Sequence, residues 1–489
     1  MISEDERRGG EREPAVTTAR PADFSLKYVL ALTAVAALGG VLFGYDWVVI
    51  GGAKPFYEKY FRLSSEELIG WANSCALVGC LLGSLMSGVL SDRYGRKVLL
   101  IGSAALFTAS SLATGWSFSF SQFIAFRIAG GVAIGVASNV SPTYIAEISP
   151  TAWRGRFVAI NQVGIAVGVL AAQIANYLIA DKVPAAATAE FIRLSWNGQS
   201  GWRWMFSAVA VPSLVFLIGS LLLPESPRWL VANGKPEGAR RTLARVGGDA
   251  YATFELEDIQ STIADSEAAT WSDLLHPRIA QIIVIGVVLA ALQQWVGINV
   301  LFNYAEEIYR SAGYGVTDTL LNIVATGVIA LISNILAFPL VDRYGRRPLM
   351  LLGCAGIGTL HVAIAITYHF GMKGWLPLSL TLAAIAIYGL TLAPVTWILI
   401  AEIFPTRVRG RAVAIAVSSL WIACFLVTFT FPFILGSIGI SGAFWFYAAV
   451  CLAGLIFVYR SVSETKDRSL EEIERQFAGK YGVKATARM

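Results

Sequence analysis

The sequence predicts an all-α membrane protein with twelve transmembrane helices in two six-helix halves, joined by a short cytoplasmic linker of helices. Of its 489 residues, 56% are hydrophobic and only 15% are charged, with a mean hydropathy of +0.61. A soluble domain carries about 25% charged residues. These values exclude a disordered chain, a coiled coil and a conventional soluble enzyme. A transmembrane helix needs about 20 apolar residues, which leaves room for about a dozen.

The elements follow in order along the chain. Residues 1–27 are charged and lack the apolar core of a signal peptide, so we expect a cytoplasmic tail. Residues 225–278 hold 15 charged residues, too many for a span, and are expected to form the helical linker between the halves at 28–224 and 279–462. A helical stretch is expected there from Lys235 to Val246. Residues 463–489 are expected to form a C-terminal helix and tail. The predicted spans lie at about 28–52, 69–91, 97–116, 121–144, 155–180, 202–223, 280–309, 318–340, 348–369, 376–403, 411–434 and 440–460.

The distribution of basic residues predicts the orientation, because cytoplasmic loops are enriched in Lys and Arg. With both termini in the cytoplasm, the cytoplasmic segments hold 29 Lys and Arg, the outer loops hold 8, and Arg127 alone falls inside a span. The linker is therefore expected to be cytoplasmic. The short outer loops favour a plasma membrane, and a bacterial inner membrane in particular.

An internal repeat supports the two halves. SDRYGRK at 91–97 recurs as VDRYGRR at 341–347, and AEISPTAWRGR at 146–156 recurs as AEIFPTRVRGR at 401–411. Gly95 and Gly345 are expected to allow the same tight reversal in each copy. Parallel repeats of this kind occur in secondary transporters, where the substrate site lies between the repeats near the membrane midplane.

The charged residues around these repeats predict a cytoplasmic gate. Glu147 with Arg154, and Glu402 with Arg409, recur at one spacing, and we expect each pair to offer partners of opposite sign. We expect the same of Glu225 with Arg228 and of Glu464 with Arg468. A network of such charges would hold the halves together while the outer side is open. The alternative is separate surface charges that only mark topology, each pair contributing about 0–1 kcal/mol, but the symmetric recurrence favours the gate. Its predicted members are Asp92, Arg93, Glu147, Arg154, Glu225, Arg228, Asp342, Arg343, Glu402, Arg409, Glu464 and Arg468.

Five motifs in order resemble the sugar porter family of the major facilitator superfamily: DRYGRK, PESPRWL, QQWVGIN, DRYGRR and the SETKD ending. The resemblance covers residues 28–474. It implies twelve helices, alternating access and a monosaccharide-type substrate. The final motif departs from the usual PETKG, because Ser463 and Asp467 replace its Pro and Gly.

Two charged residues inside spans are candidates for a proton-coupling site, because charge within a membrane is costly and usually functional. Asp46 and Arg127 each lie about six residues from the outer end of a span, or roughly 9 Å below the surface. Matched depth and opposite sign predict a pair, which is either a static ion pair or a site that binds and releases a proton as the two residues separate. The resemblance favours the proton site, since proton-coupled sugar porters carry Asp at the position of Asp46 and facilitative relatives typically carry a neutral residue.

Side-chain amides suit a sugar, because each offers both a donor and an acceptor. Gln293, Gln294 and Asn299 cluster on span seven, and Gln162 lies on span five. Adjacent side chains diverge, so one of Gln293 and Gln294 is expected to serve a helix interface, and an interhelical hydrogen bond is the alternative role of each amide. The resemblance also implies sugar contacts for Gln162, Trp397 and Trp421, although a tryptophan in a span more often serves packing.

Several positions depart from the pattern that the resemblance implies. The family commonly has Asn at the position of Ala330, and Asn334, one turn later, is expected to compensate in part. Amides common near the tryptophan of span eleven are replaced by Leu420 and Cys424, and a common Tyr is replaced by Asn303. We therefore expect the second half to offer a sugar fewer hydrogen bonds, which puts the usual glucose or xylose specificity in doubt.

The leading prediction is a proton-coupled importer of a hexose or pentose. A sugar uniporter and a symporter for an inositol-type polyol remain open alternatives, and a membrane sugar sensor is a remote one, because the tails of about 27 and 29 residues are short. No enzyme constellation, metal-ligand spacing or phosphate-binding loop is present in the sequence. The expected partners are the sugar and the bilayer, with no cofactor besides the proton, no nucleic acid and no obligate protein partner.

Overall fold

The structure is a computed structural model that describes residues 24–184, 187–264, 272–405 and 408–466. Every regular element in these ranges is helical, which confirms the predicted all-α class. Large apolar side chains such as Val89 and Leu222 are 73% and 81% exposed. Exposed apolar surface of this kind is suited to contact with lipid.

The first half contains the first five long helices and a sixth segment in pieces. Ser65 and Ser119 precede two of the helices, and each side chain accepts a hydrogen bond from a backbone N–H of the first turn, at 3.2 and 3.3 Å. Such N-caps fix where a helix begins. The helices are α1 (Leu26–Phe61), α2 (Glu66–Tyr94), α3 (Arg96–Gly115), α4 (Phe120–Ile148), α5 (Arg154–Ile179), α6 (Ala189–Leu194), α7 (Trp202–Ser207) and α8 (Ala210–Leu222).

The linker consists of short and kinked helices, as its charged composition predicts. Helix α9 (Pro227–Ala232) begins after Ser226, which caps it. Helix α10 (Pro236–Ala264) begins one residue after the start of the helical stretch expected from Lys235 to Val246 and contains the rest of it. The backbone N–H of Ser25 donates to the Val246 carbonyl at 2.7 Å, so the linker lies at the start of α1. We call this end of the bundle the linker face and the opposite end, with the α1–α2 turn at 62–65, the distal face.

The second half repeats this arrangement with two broken spans. The span predicted at about 280–309 is present but broken, because Gly297 has a φ of +86° and separates α11 from α12. Span ten breaks at Thr391, where Pro394 has no N–H to donate to the Leu390 carbonyl. The helices are α11 (Pro277–Trp295), α12 (Ile298–Asn303), α13 (Ala305–Ser311), α14 (Val316–Tyr344), α15 (Arg346–His369), α16 (Trp375–Leu390), α17 (Leu392–Glu402) and α18 (Arg409–Ser461).

The predicted number of crossings is confirmed among the described residues. Eleven helical segments are long and apolar enough to span a membrane. One of them, α18, has 53 residues and breaks at Gly439, where φ is +68°. At 1.5 Å per residue it is about 80 Å long, which is enough for two crossings of a core of about 30 Å. The described part of the chain therefore holds twelve spans.

The two halves meet along α1, α2 and α5 of the first half. Helix α2 packs against α18, α5 packs against α14, and α1 contacts α12, α13 and α14. A central cavity lies between these helices. The fold thus places residues from both halves around one space.

Candidate substrate and coupling site

The central cavity has a volume of about 90 Å³ and is lined by both halves. Gln162 reaches it from α5, and Gln293, Gln294 and Asn299 reach it from α11 and α12. Trp397 and Trp421 complete the set, so the structure brings all six predicted substrate residues around one cavity. Phe43 and Trp47 of α1 add further aromatic surface. Amides beside aromatic faces match the hydroxyls and the C–H face of a sugar ring.

The amides form a chain of hydrogen bonds that ends at the break in span ten. Asn299 Nδ2 donates to Gln294 Oε1 at 2.6 Å, and Gln294 Nε2 donates to Gln293 Oε1 at 3.2 Å. Gln293 Nε2 then donates to the carbonyls of Leu392 and Ala393 at 3.3 and 3.2 Å. Gln293 thus serves a helix interface, the role expected of one of the two adjacent glutamines. Asn299 lies at the opposite end of this series of hydrogen bonds.

Several polar atoms of the cavity residues have no partner in the described protein. They include Asn299 Oδ1, Asn334 Oδ1 and the indole Nε1 of Trp421, although Trp421 is only 2% exposed. Buried polar atoms are nearly always hydrogen-bonded, so such a group indicates a place for a polar ligand. The Trp421 ring also lies 5.5 Å from that of Phe43, between centroids, which joins the two halves at the cavity.

The departures from the family pattern that lie within the spans are all at a cavity. Ala330, Leu420 and Cys424 line the central one and give it an apolar wall in the second half. Asn334 donates to the Ala330 carbonyl at 2.9 Å and lines the same cavity, so it supplies a polar group there. Asn303 instead lines a second, smaller cavity.

Asp46 and Arg127 are in contact. Arg127 Nη1 donates to Asp46 Oδ1 at 2.5 Å, and each residue is only 5% exposed. The Arg127 guanidinium also lies 5.4 Å from the ring centre of Phe206. Both charged groups line the second cavity, of about 20 Å³, which shares Phe43, Trp47 and Trp421 with the central cavity.

A buried ion pair between the halves lies toward the distal face, and the sequence did not predict it. Lys54 of α1 is fully buried and pairs with Glu307 of α13 and, at 3.6 Å, with Glu58. Its ammonium also lies 4.4 Å from the ring centre of Tyr304. From the sequence, Lys54 is one of the eight basic residues expected in the outer loops. The i, i+4 spacing of Lys54 and Glu58 was the available signal, because it predicts a continued helix.

Two further hydrogen bonds join the halves on the same side. Gln173 Nε2 donates to Thr326 Oγ1 at 3.1 Å, and the backbone N–H of Val183 donates to Thr317 Oγ1 at 3.0 Å. The halves are therefore held together between the central cavity and the distal face.

Each half carries the same charge cluster at the linker face. In the first half, Arg96 Nη2 donates to Glu147 Oε1 at 3.0 Å, and Glu225 accepts from the backbone N–H of Arg96 at 2.9 Å. Ser226 Oγ completes this cluster by donating to Glu147 at 2.5 Å. Gly95 precedes it with a φ of +94° and lies against the Glu225 carboxylate, where a Cβ would clash.

The second cluster repeats the first. Arg346 Nη2 donates to Glu402 Oε1 at 2.8 Å, and Glu464 accepts from the backbone N–H groups of Arg346 and Arg347, both at 3.0 Å. Thr465 Oγ1 donates to Glu402 at 2.6 Å, as Ser226 does to Glu147. Gly345 has a φ of +86°. Arg96 and Arg346 were missed as site residues, although their equivalent places in the repeated DRYGR motif were a usable signal.

The predicted pairing of neighbours in sequence is wrong in the first repeat. Glu147 binds Arg96 rather than Arg154, and Arg154 Nε donates to the Ala146 carbonyl at 2.9 Å. Glu225 binds backbone N–H groups at the start of α3 rather than Arg228. The fold points the backbone N–H groups at the start of α3 toward the Glu225 carboxylate. They bind it in place of Arg228, its neighbour along the chain.

The second repeat shows the same correction. Glu402 binds Arg346 rather than Arg409, which donates from Nε to the Phe404 carbonyl at 3.2 Å. The proposed partner of Glu464, Arg468, lies outside the described residues. These bonds run within one half, so the gate between the halves stays a prediction for another conformation.

The remaining predicted gate residues lie at the edges of the clusters. Asp92 accepts from Arg96 at 3.2 Å with a side chain that is 77% exposed. Arg93 and Arg343 stack on the neighbouring rings of Tyr94 and Tyr344. Asp342 is exposed.

Glu464 lies beyond the last span, and its pKa is lowered overall. Partial burial raises the pKa of this carboxyl, but the backbone N–H groups of Lys466, Arg346, Arg347 and Thr465 outweigh it by donating to the ionised form. The cluster therefore stabilises a carboxylate.

The chain matches the family model described as "Sugar (and other) transporter" over residues 32–477. It is 36% identical over 463 residues to the glucose transport protein of Synechocystis, which covers 92% of this chain and 97% of that protein. It is 34% identical over 482 residues to the D-xylose-proton symporter of Escherichia coli K12 (92% and 96%). It is 35% identical over 464 residues to the arabinose-proton symporter of Bacillus subtilis (95% and 97%).

Solved structures of the xylose transporter XylE of Escherichia coli are similar to this chain. A partially occluded, inward-open conformation matches with a TM-score of 0.80 at 33% identity, covering 91% of this chain and 100% of that one. The complex with 6-bromo-6-deoxy-D-glucose matches with a TM-score of 0.77 at 33% identity (92% and 99%). The similarity extends over nearly the whole fold.

Proposed function

This chain belongs to the sugar porter family of the major facilitator superfamily, and we propose that it imports a monosaccharide together with a proton. The coarser statement, a multi-pass membrane protein that transports sugars, follows from the family. The finer statement rests on one observation: Asp46 and Arg127 form a buried pair beside the central cavity. The smaller cavity that this pair lines shares three aromatic residues with the central cavity.

The proposed substrate is a hexose or a pentose. The amides and tryptophans of the central cavity support a monosaccharide, and the relatives named for glucose, xylose and arabinose support the same class. The apolar wall of Ala330, Leu420 and Cys424 predicts a narrower choice among sugars. A substrate hydroxyl facing that wall would lose hydrogen bonds to water without gaining new ones.

The proposed alternating access is supported by the contacts between the halves. In our proposal the linker face is cytoplasmic, as the excess of basic residues predicts. The distal face is then outside the cell, and its closure by Lys54 and Glu307 makes this conformation inward-facing. Outward opening requires α1 to separate from α13, while the two charge clusters at the linker face approach each other and act as the predicted gate. The proposed setting is the plasma membrane of a bacterium.

Coupling follows from the competition between Arg127 and a proton for Asp46. A carboxylate that binds a proton loses most of its attraction to a guanidinium. Protonation would therefore free α1 from α4, and renewed pairing would expel the proton on the other side. The proton gradient is the proposed energy source, with no cofactor and no further protein needed.

Uptake into reconstituted vesicles tests this proposal. A panel of labelled hexoses, pentoses and polyols is offered with an inward proton gradient, with and without a protonophore. Symport predicts accumulation of one or more monosaccharides above the external concentration, and loss of that accumulation with the protonophore. Equilibration of the sugar that is unaffected by the protonophore would identify a uniporter. Uptake of polyols alone would change the substrate class. Binding of a sugar without its uptake would indicate a sensor.

A further inference from the structure

We propose that the second cavity holds an ordered water molecule, and that Asn303 uses this water to connect the sugar-binding helix α12 to the Asp46–Arg127 pair. Asn303 would then be a positioning residue for proton coupling. The inference rests on the proposed symport and adds to it a residue and a site.

The cavity has the room and the polar groups that a water molecule needs. A water requires about 10–15 Å³ and two to four polar partners, and the cavity measures about 20 Å³. Four polar atoms of its lining residues have no partner in the described protein: Asn73 Oδ1, Arg127 Nε, Asn303 Oδ1 and Trp421 Nε1. These residues are 4%, 5%, 3% and 2% exposed. Burying them unpaired would be costly, and one water can accept from Arg127 while donating to Asn303 and Asp46.

The polar lining of this cavity comes from both halves. Asp46, Asn73 and Arg127 belong to α1, α2 and α4 of the first half, whereas Asn303 is the polar residue contributed by α12 of the second. Separation of the halves would therefore remove one side of the water site. A water bound by groups of both halves would therefore make the coupling pair sensitive to the relative position of the halves.

Asn303 is also linked to the sugar cavity through its own helix. Asn299 lies four residues earlier in α12, so the two amides share one side of a single turn. Asn299 lines the central cavity and Asn303 lines the second one, and both have an unpartnered Oδ1. A sugar that binds Asn299 and shifts α12 would thus move Asn303 as well.

The packing of α12 on α1 keeps this movement close to Asp46. The rings of Trp47 and Phe302 lie 5.2 Å apart between centroids. A Cβ at Gly51 would lie only 2.6 Å from the Phe302 carbonyl oxygen, so the two backbones are nearly in contact. A displacement of α12 would therefore also move the part of α1 that carries Asp46.

A pair of variants of equal shape tests the role of Asn303. Asn303→Val removes the polar atom, and Asn303→Thr keeps a hydroxyl in the same volume. Two quantities are measured in vesicles: the accumulation ratio driven by a proton gradient, and the rate and half-saturating concentration of sugar counterflow without a gradient. Leu301→Ala, on α12 but lining neither cavity, is the control for general damage to the helix.

We expect the accumulation ratio of Asn303→Val to be about fivefold lower than that of Asn303→Thr, because one buried hydrogen bond is lost. The half-saturating sugar concentration of counterflow should be similar in the two variants. Leu301→Ala should lower accumulation and counterflow in proportion. Equal accumulation by the Val and Thr variants, or an equal loss of counterflow in Asn303→Val, would overturn the inference. If the bulkier pair does not fold, Asn303→Ala and Asn303→Ser give the same comparison. Absence of proton coupling in the unmodified protein would instead reject the proposed symport.

Discussion

Arg127 donates a 2.5 Å hydrogen bond to Asp46 from a position 81 residues further along the chain, and both side chains are buried. The pair lies between α1 and α4 of the first half, beside a cavity that shares aromatic residues with the central one. A buried charge is tolerated only with its partner, because removing one member leaves the other uncompensated. This arrangement makes the protonation of Asp46 and the packing of α1 on α4 depend on each other.

Asp46→Asn is expected to abolish uphill uptake and to leave counterflow. The amide keeps the shape and can still accept a hydrogen bond from Arg127, but it cannot bind a proton. Sugar accumulation under a proton gradient and counterflow at equal pH are the two measurements. Asp318→Asn, in the first turn of α14 and away from both cavities, is the matched control. Accumulation retained in Asp46→Asn would remove this residue from coupling.

Lys54→Met is expected to open the distal face, because Glu58 and Glu307 would be left without the buried cation. The reporter is Ile50→Cys, at a position that is 1% exposed here, labelled from outside with a membrane-impermeant maleimide. We expect labelling to increase about tenfold, a shift of ~1.4 kcal/mol between the closed and open states.

The control is Lys59→Met, which lies on the same helix and forms no ion pair among the residues described. Exchanging the charges, with Lys54→Glu and Glu307→Lys together, should restore part of the closure. Labelling that stays low in Lys54→Met would show that the ion pair does not hold the distal face.

Arg96→Gln and Arg346→Gln are expected to destabilise the protein by similar amounts, because the two clusters are repeats. Each arginine binds a partly buried carboxylate, and charged hydrogen bonds contribute about 1.5–3 kcal/mol. Thermal unfolding in detergent measures the change, and Arg93→Gln, whose side chain is exposed, is the control. If Arg93→Gln cost as much as either variant, the clusters would not be the stabilising unit.

Glu464 predicts a pH dependence of stability. Its folded pKa lies below the ordinary value of 4.5, so its contribution is complete above that value and is lost as pH falls through the lower folded pKa. Unfolding temperatures are compared for the unmodified protein and Glu464→Gln from neutral to acidic pH. The difference between the two should shrink on acidification. A difference that stays constant would mean that the ionised carboxylate is not what stabilises the cluster.

Leu420→Gln is expected to improve the transport of common monosaccharides, because it restores an amide to the apolar wall of the central cavity. One added hydrogen bond of about 1 kcal/mol would lower the KM about fivefold. Leu420→Met keeps the volume and the apolar character, and should leave the order of preference among sugars unchanged. Identical KM values for the Gln and Met variants would show that this position does not contact the sugar.

Much of the fold could be predicted from the sequence because hydropathy and the repeat report on it directly. The twelve spans, the two halves and the helix from Lys235 to Val246 are of this kind. The break at Gly297 was not predicted, because an apolar window is equally long whether its helix is continuous or interrupted. The positive φ of Gly297 becomes visible only when the backbone is traced.

The candidate site likewise contains residues that the sequence could predict and residues that it could not. Asp46 and Arg127 could be matched by depth and sign, and the six candidate residues of the central cavity by resemblance and by their chemistry. Lys54 and Glu307 could not be matched, because they are 253 positions apart in the sequence and only the folded halves bring them together. Glu147 was expected to pair with Arg154, seven residues away, whereas tertiary packing places Arg96 against it.

The most direct measurement of proton coupling follows pH as sugar enters vesicles without an imposed gradient. With the unmodified protein, addition of a transported sugar should make the weakly buffered external medium more alkaline, because each sugar carries a proton inward. The change should be absent from vesicles that contain Asp46→Asn. Sugar entry through the unmodified protein with no change in external pH would contradict symport.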